Sequence, residues 1–242
     1  MGICSSCCRF NFNNGDKYEG PLESKLPNGK GIRYYGSTEK IKYAGNFING
    51  KKEGNGKYIY PNGIYYIGHW KNDKRNGRGI LYSEKGSILY EGDFAEDNFE
   101  GQGKFFWPDG VYYEGQFLNN KKHGKGKMFY KNGKIKYDGD FVNDRYEGYG
   151  QYNWENGDYY TGEWANGLRN GNGAFFSKGK LRYKGKFEND IFVGDKNVDL
   201  VDDKKEEEEK EKKGNKVLIG DKTLYILDGY IISDIKNPMN KY

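Results

Sequence analysis

Residues 43–63 read YAGNFINGKKEGNGKYIYPNG, and the order of rings and glycines in that stretch decides the fold. Tyr43, Gly45 and Phe47 alternate, so in an extended chain they share one face. Gly54, Gly56, Tyr58 and Tyr60 alternate in the next run. Between the runs, Asn49-Gly50-Lys51-Lys52-Glu53 is polar and turn-forming, which makes the pair a β-hairpin. Pro61-Asn62-Gly63 then turns the chain tightly into the next hairpin. Glycine weakens a strand unless another group must approach the backbone. Here each glycine is expected to leave room for a neighbouring ring to lie flat on the sheet.

The unit recurs along the chain. Tyr-x-Gly-x-[Phe/Trp], followed by a Gly-x-Gly pair, opens at Tyr43, Tyr66, Tyr90, Tyr113, Tyr137 and Tyr160. Two imperfect units flank the set. Tyr18-Glu19-Gly20 reaches Gly29-Lys30-Gly31 but carries Leu22 in place of the aromatic. Tyr183-Lys184-Gly185-Lys186-Phe187 reaches Gly194 but has Lys196 where the second glycine belongs. Atypical end units are what capping a stack requires. About eight units predict about sixteen strands and, at ~4.8 Å per strand, a twisted ribbon roughly 75 Å long.

Composition agrees. Glycine supplies 37 of 242 residues and the aromatics 17%, a combination foreign to disordered low-complexity chains. No run approaches the roughly 18 apolar residues of a membrane span, and the N-terminus lacks a secretory apolar core, so a cytosolic protein is expected. The three cysteines all fall within the first eight residues and cannot staple the body. Residues 1–196 hold 31 basic and 24 acidic side chains, residues 197–242 hold 9 and 11. A mildly basic body favours an anionic surface as partner.

The Tyr-x-Gly-x-Trp/Phe…Gly-x-Gly pattern over residues 18–196 resembles the MORN repeat (membrane occupation and recognition nexus). The resemblance implies an all-β fold, an elongated single-layer antiparallel sheet of stacked hairpins. It also implies non-catalytic roles in scaffolding, dimerisation or membrane-associated assembly, in pellicles, cilia and membrane junctions.

Met1-Gly2-Ile3-Cys4-Ser5-Ser6 matches the pattern for N-myristoylation at Gly2. Cys4, Cys7 and Cys8 stand beside it as palmitoylation candidates, and a second acyl chain converts marginal binding into stable anchoring. A zinc site finds no further ligand nearby, since His69 and His123 lie far along the chain. The expected organisation is an acylated anchor over 1–17, the repeat array over 18–196, a charged linker over 197–215 containing DDKKEEEEKEKK, and a short β-rich cap or docking segment over 216–242.

Two surfaces are candidates for binding. Lys51, Lys52, Lys74, Arg75, Lys121 and Lys122 sit at hairpin tips and predict a row of positive charge for lipid headgroups, interrupted at Glu96-Asp97. Ile59, Tyr82, Phe106, Phe129 and Phe176 occupy one position in five repeats and point away from the Tyr-Gly-aromatic face. They either receive a partner helix or a second copy, or fold against adjacent turns. Catalysis lacks a placed nucleophile–base pair, no cofactor or metal is implied, and the Gly-x-Gly pairs open no helix. Nucleic-acid binding is disfavoured because the rings are needed for packing. The expectation is a lipid-anchored, non-catalytic scaffold on the cytosolic face of a plasma or cortical membrane, organising protein partners, with homodimerisation open. A module recognising phosphoinositides or other anionic lipids is the alternative.

Overall fold

A computed structural model describes residues 8–36, 38–194 and the backbone of 226–227 and 230–231. Gly2, Cys4 and Cys7, the linker 197–215 and most of 216–242 lie outside the described residues. Every element is a strand. The first are β1 (Cys8–Asn11), β2 (Lys17–Gly20), β3 (Leu22–Glu23), β4 (Leu26–Pro27), β5 (Gly29–Tyr34), β6 (Ile41–Ile48) and β7 (Lys51–Ile59). Next come β8 (Tyr65–Lys71), β9 (Lys74–Tyr82), β10 (Ile88–Ala95), β11 (Asn98–Phe106), β12 (Tyr112–Leu118), β13 (Lys121–Phe129), β14 (Ile135–Val142) and β15 (Arg145–Asn153). The last are β16 (Tyr159–Ala165), β17 (Leu168–Ser177), β18 (Lys180–Glu188), β19 (Ile191–Phe192), β20 (Ile226–Leu227) and β21 (Tyr230–Ile231).

The chain forms two compact units, residues 1–153 and 154–242. In the first, β1, β2 and β5 through β15 pair antiparallel in chain order, and β3 with β4 extend the first hairpin. In the second, β16 through β19 pair likewise, and β20 pairs with β21. The expected single layer of antiparallel hairpins is therefore the fold of each unit.

Seven repeat-opening tyrosines, Tyr18 through Tyr160, are completely buried. Each ring folds back along its own strand and covers the glycine two residues on and that glycine's cross-strand partner. A methyl group on Gly45 or Gly56 would lie 2.4 or 2.2 Å from the Tyr43 hydroxyl oxygen. The Tyr43 hydroxyl donates to the Asn46 carbonyl at 3.1 Å, and Tyr113 does the same to Gln116 at 2.9 Å. The aromatic four residues on wedges between consecutive tyrosines. Phe47 meets Tyr18 and Tyr43 edge-on at 4.9 and 5.1 Å, and Phe117 meets Tyr90 and Tyr113 at 5.3 and 5.1 Å. Each such pair contributes ~0.5–1.5 kcal/mol beyond its buried area, which couples one hairpin to the next.

Three expectations need correction. The first glycine of each Gly-x-Gly pair seats no ring. Gly54 has φ +64° and stands at a β-bulge opposite Asn46, where left-handed backbone decides the residue. The turn of residues 49–53 is shorter than expected: Asn49 and Gly50 alone turn, both with positive φ, and Lys51 already begins β7. Two-residue turns with two left-handed residues match the twist of the flanking strands. Finally, among the described residues the sheet already includes Cys8–Asn11, inside the segment 1–17 assigned to the anchor. β1 occupies the position of a hairpin's second strand: Cys8 pairs with Gly20 as Gly56 pairs with Gly68. The turn after it, with Phe12 N–H on Asp16 O and Gly15 N–H on Phe12 O, repeats the bonds of Tyr60, Gly63 and Ile64.

The true repeat is a pair of hairpins. Besides the bulge inside each hairpin, the pairing between hairpins slips at Lys42, Leu89 and Lys136, each forty-seven residues from the last, and at Arg182 in the second unit, because the strand that opens every second hairpin carries one extra residue.

Candidate functional site

The outer face of the sheet carries its apolar residues in groups with the same two-hairpin period. Cross-strand pairs join Ile59 to Tyr65, Tyr65 to Tyr82 and Tyr82 to Ile88. The same pairs join Phe106 to Tyr112, Tyr112 to Phe129 and Phe129 to Ile135, each number raised by forty-seven. Within the two quartets, Tyr65 stacks on Tyr82 at 4.7 Å and Tyr112 on Phe129 at 4.4 Å. Lys57 lies over Tyr65 at 4.3 Å and Lys104 over Tyr112 at 5.3 Å. In the second unit, Tyr159 stacks on Phe176 at 4.5 Å and Phe176 pairs with Leu181. All five residues singled out from the sequence, Ile59, Tyr82, Phe106, Phe129 and Phe176, belong to these groups and are half-buried. Tyr82, Phe106, Phe129 and Phe176 lie against cross-strand rings. Their partners Tyr65, Tyr112 and Tyr159 were missed because they precede the repeat-opening tyrosine. The doublets Tyr65-Tyr66, Tyr112-Tyr113 and Tyr159-Tyr160 were the available signal.

The basic row is different. Because the turns contain two residues, the second cation of each doublet falls on the ring-covered face. The side chains of Lys52, Arg75 and Lys122 are only 13%, 17% and 15% exposed. Lys52 lies over Trp70 at 4.2 Å, Arg75 over Phe94 at 5.0 Å and Lys122 over Trp107 at 5.1 Å. Each is bound to the aspartate of the following turn: Lys52 N–H donates to Asp73 Oδ1 at 2.9 Å and Asp73 N–H to Lys52 O at 3.1 Å. Arg75 with Asp97 and Lys122 with Asp144 repeat the bond, so these residues tie turn to turn. Burial pushes the Lys52 ammonium down to about 8, opposed by the Asp73 carboxylate and reinforced by Arg33 and Lys42. Burial lowers Lys122 as well. Of the six cations, only Lys51, Lys74 and Lys121 face solvent, and Lys74 is bonded to Glu96.

Comparison with known proteins decides the family. The model of the MORN repeat matches residues 43–65, 66–88, 90–112, 113–135, 137–159 and 160–180, more than half of the chain. The chain is a MORN-repeat protein. It is 38% identical over 79 residues to MORN repeat-containing protein 3 of Xenopus laevis, covering 30% of this chain and 33% of that protein. It is 34% identical over 76 residues to alsin of Rattus norvegicus, covering 29% of this chain and 4% of alsin. It is 40% identical over 76 residues to the inactive protein tyrosine kinase pTKL of Plasmodium berghei, covering 30% of this chain and 6% of that protein. The chain thus spans a third or less of the curated relatives it matches. MORN repeats are generally non-catalytic and often membrane-associated. Among the described residues no helix is long and apolar enough to cross a membrane.

Two further polar sites distinguish this MORN-repeat protein from a bare stack. At the N-terminal end Asp16 is 4% exposed and accepts from Lys42 Nζ at 2.7 Å and Arg33 Nε at 2.8 Å. Burial alone would raise its carboxyl. The hydrogen bonds from Lys42, the Gly36 N–H and Asn14, with the charge of Arg33, hold it far below the usual carboxylate range. Arg33 in turn lies over Phe12 at 3.7 Å. On β13, His123 Nδ1 is buried without a hydrogen-bond partner. At the same position Glu53 and Glu100 accept the backbone N–H of Asn72 and Asn119, the first residues of the following turns. Cys8 is half-buried at the start of β1. No cluster of three metal-ligating side chains occurs among the described residues.

Proposed function

We propose that this MORN-repeat protein is a non-catalytic scaffold, anchored by acyl chains on Gly2 and on Cys4, Cys7 or Cys8 to the cytosolic face of a membrane, with protein partners bound on the outer-face quartets. The observation that carries the reading is the two-hairpin period of those groups. They put equivalent apolar sites four strands, or about 19 Å, apart on a face that also carries cross-strand charge pairs. Lys104–Glu114 and Lys127–Asp138, at 3.0 and 2.8 Å, are such pairs. Cross-strand charge pairs beside recurrent half-buried rings favour docking of protein over polyanions.

The anchor supports the same reading. Two acyl chains give stable attachment where one gives marginal binding. The test has two arms in cells of the protein's own source. Gly2→Ala is expected to move the protein from the membrane to the soluble fraction. Tyr112→Glu with Phe129→Glu is expected to leave it on the membrane and remove its neighbours from proximity labelling. Unchanged fractionation of Gly2→Ala would reject the anchor, and unchanged labelling would reject the docking face.

One observation favours a second reading, anionic-lipid recognition. Ile48 and Leu118, 53% and 42% exposed, stand directly opposite Lys51 and Lys121 on the turn edge, an interleaving of apolar and basic groups suited to a headgroup layer. With Lys52, Arg75 and Lys122 turned inward, few cations remain for it. Flotation of unacylated Gly2→Ala protein with phosphatidylserine vesicles separates the readings, since only lipid recognition retains salt-sensitive binding.

A further inference from the structure

The two outer-face quartets of the first unit are flanked by a second row whose charges are not all matched. Ile59, Tyr65, Tyr82 and Ile88 lie on β7 through β10, and Phe106, Tyr112, Phe129 and Ile135 on β11 through β14. Beside them on the same face runs a row in which each residue is the cross-strand neighbour of the next. From β7 to β14 it reads Lys57, Ile67, Ile80, Glu91, Lys104, Glu114, Lys127 and Asp138. Lys104 is paired with Glu114 and Lys127 with Asp138. Among the described residues neither Lys57 nor Glu91 forms an ion pair. The cross-strand neighbours of Lys57 are Ala44 and Ile67, and Glu91 stands between Ile80 and a Lys104 already turned to Glu114. The strip is also open: Ile67 is 42% exposed and Ile135 36%.

We propose that this strip is the interface between two copies of the chain, packed outer face to outer face about a two-fold axis parallel to the strands. The inference rests on the reading of the quartets as a protein-docking face and names the partner. Such an axis reverses the strand order and keeps each row on itself, so β7 of one copy meets β14 of the other and β10 meets β11. Tyr82 then meets Tyr112, Tyr65 meets Phe129, Ile88 meets Phe106 and Ile59 meets Ile135, apolar against apolar throughout. In the second row Lys57 meets Asp138 and Glu91 meets Lys104, so both charges left unmatched within the sheet gain an opposite charge across the interface. Ile67 and Ile80 meet Lys127 and Glu114, whose aliphatic stems cover them. The register is selective. A displacement of one strand sets Lys104 against its own symmetry mate in one direction and Glu91 against its own in the other, and like charges there reject the alternatives. Strands β7 through β14 span ~38 Å and the two rows ~14 Å, about 500 Å² from each copy. The total of about 1,000 Å² reaches what a specific interface needs. Twisted sheets pack in this way about 10 Å apart.

The experiment is sedimentation equilibrium of the purified, unacylated full-length chain at micromolar concentrations, where a dimer is expected. Lys57→Glu alone and Asp138→Lys alone should each dissociate at least about tenfold more readily, because symmetry places two like-charge contacts in every such dimer. Mixed in equal parts, the two variants are expected to dimerise as the wild type does. One substituted site then meets the other, and the second Lys57–Asp138 contact is the natural one. Rescue of this kind arises only between copies, since seven strand spacings, ~34 Å, separate the two positions within one chain. It also checks folding, because mixing does not repair a misfolded variant. A monomeric wild type, or a mixture that dimerises no better than its components, overturns the proposal. If the wild type is monomeric but Tyr112→Glu/Phe129→Glu still loses its neighbours in cells, the second copy is rejected and the docking face stands with a different protein. Unchanged labelling in that case rejects both.

Discussion

Replacing Gly126 by alanine isolates the contact on which the array depends. A methyl group there would lie 2.3, 2.4 and 2.5 Å from the hydroxyl oxygen, Cε2 and Cζ of Tyr113. Ordinary contact needs about 3.5 Å, so the ring has to move by about an ångström. It cannot do so freely. Tyr113 is wholly buried, its hydroxyl is bonded to Gln116 O, and it meets Phe117 and Phe141 edge-on at 5.1 and 5.0 Å. Overpacking costs ~1–3 kcal/mol, the hydrogen bond ~1 kcal/mol, and part of two ring pairs ~1 kcal/mol. The expected loss is about 3–5 kcal/mol, or a melting midpoint lowered by roughly 10 °C. The decisive assay is a double-mutant cycle with Tyr113→Ala, followed by circular dichroism during thermal and urea unfolding. Once the ring is gone the methyl has space, so the double variant is expected to match Tyr113→Ala alone, a coupling as large as the Gly126→Ala loss itself, about 3–5 kcal/mol. Additive losses would refute the claim that the glycine exists to seat that ring. Gly133→Ala serves as a control, since a methyl there meets nothing within 4 Å and only its left-handed backbone, φ +80°, is strained, at ~1–2 kcal/mol.

Other expectations follow from the polar sites. Lys52 titrates near 8 when folded and near 10.4 when unfolded. Between those values the unfolded chain binds more protons, so stability is expected to rise as pH increases from about 8 to about 10.4, by about 3 kcal/mol. Lys52→Met should abolish that rise and equal or exceed the wild type at pH 7, as denaturant titrations at several pH values will show. Lys122→Ala should cost about 1 kcal/mol through lost contact with Trp107, clearly less than Gly126→Ala. His123→Glu supplies the carboxylate that Glu53 and Glu100 use to accept a turn N–H, and should raise stability by about 0.5–1 kcal/mol, read as a higher melting midpoint.

What the amino-acid order determined alone was the hairpin array and its ring-on-glycine core. Both depend on local rules: a period of two places Tyr43, Gly45 and Phe47 together, and Asn-Gly turns close the hairpin. The tertiary structure decided everything that depends on register. One residue more or less in a turn sends a side chain to the opposite face, so the two-residue turns put Lys52, Arg75 and Lys122 against the rings while leaving Lys51 and Lys121 in water. Bulges at Lys42, Leu89 and Lys136 likewise set the two-hairpin period that gathers Tyr65 with Tyr82 and Tyr112 with Phe129. β1 escaped notice because Cys8 stands in register where a repeat would carry glycine, and only pairing with β2 reveals the position it fills.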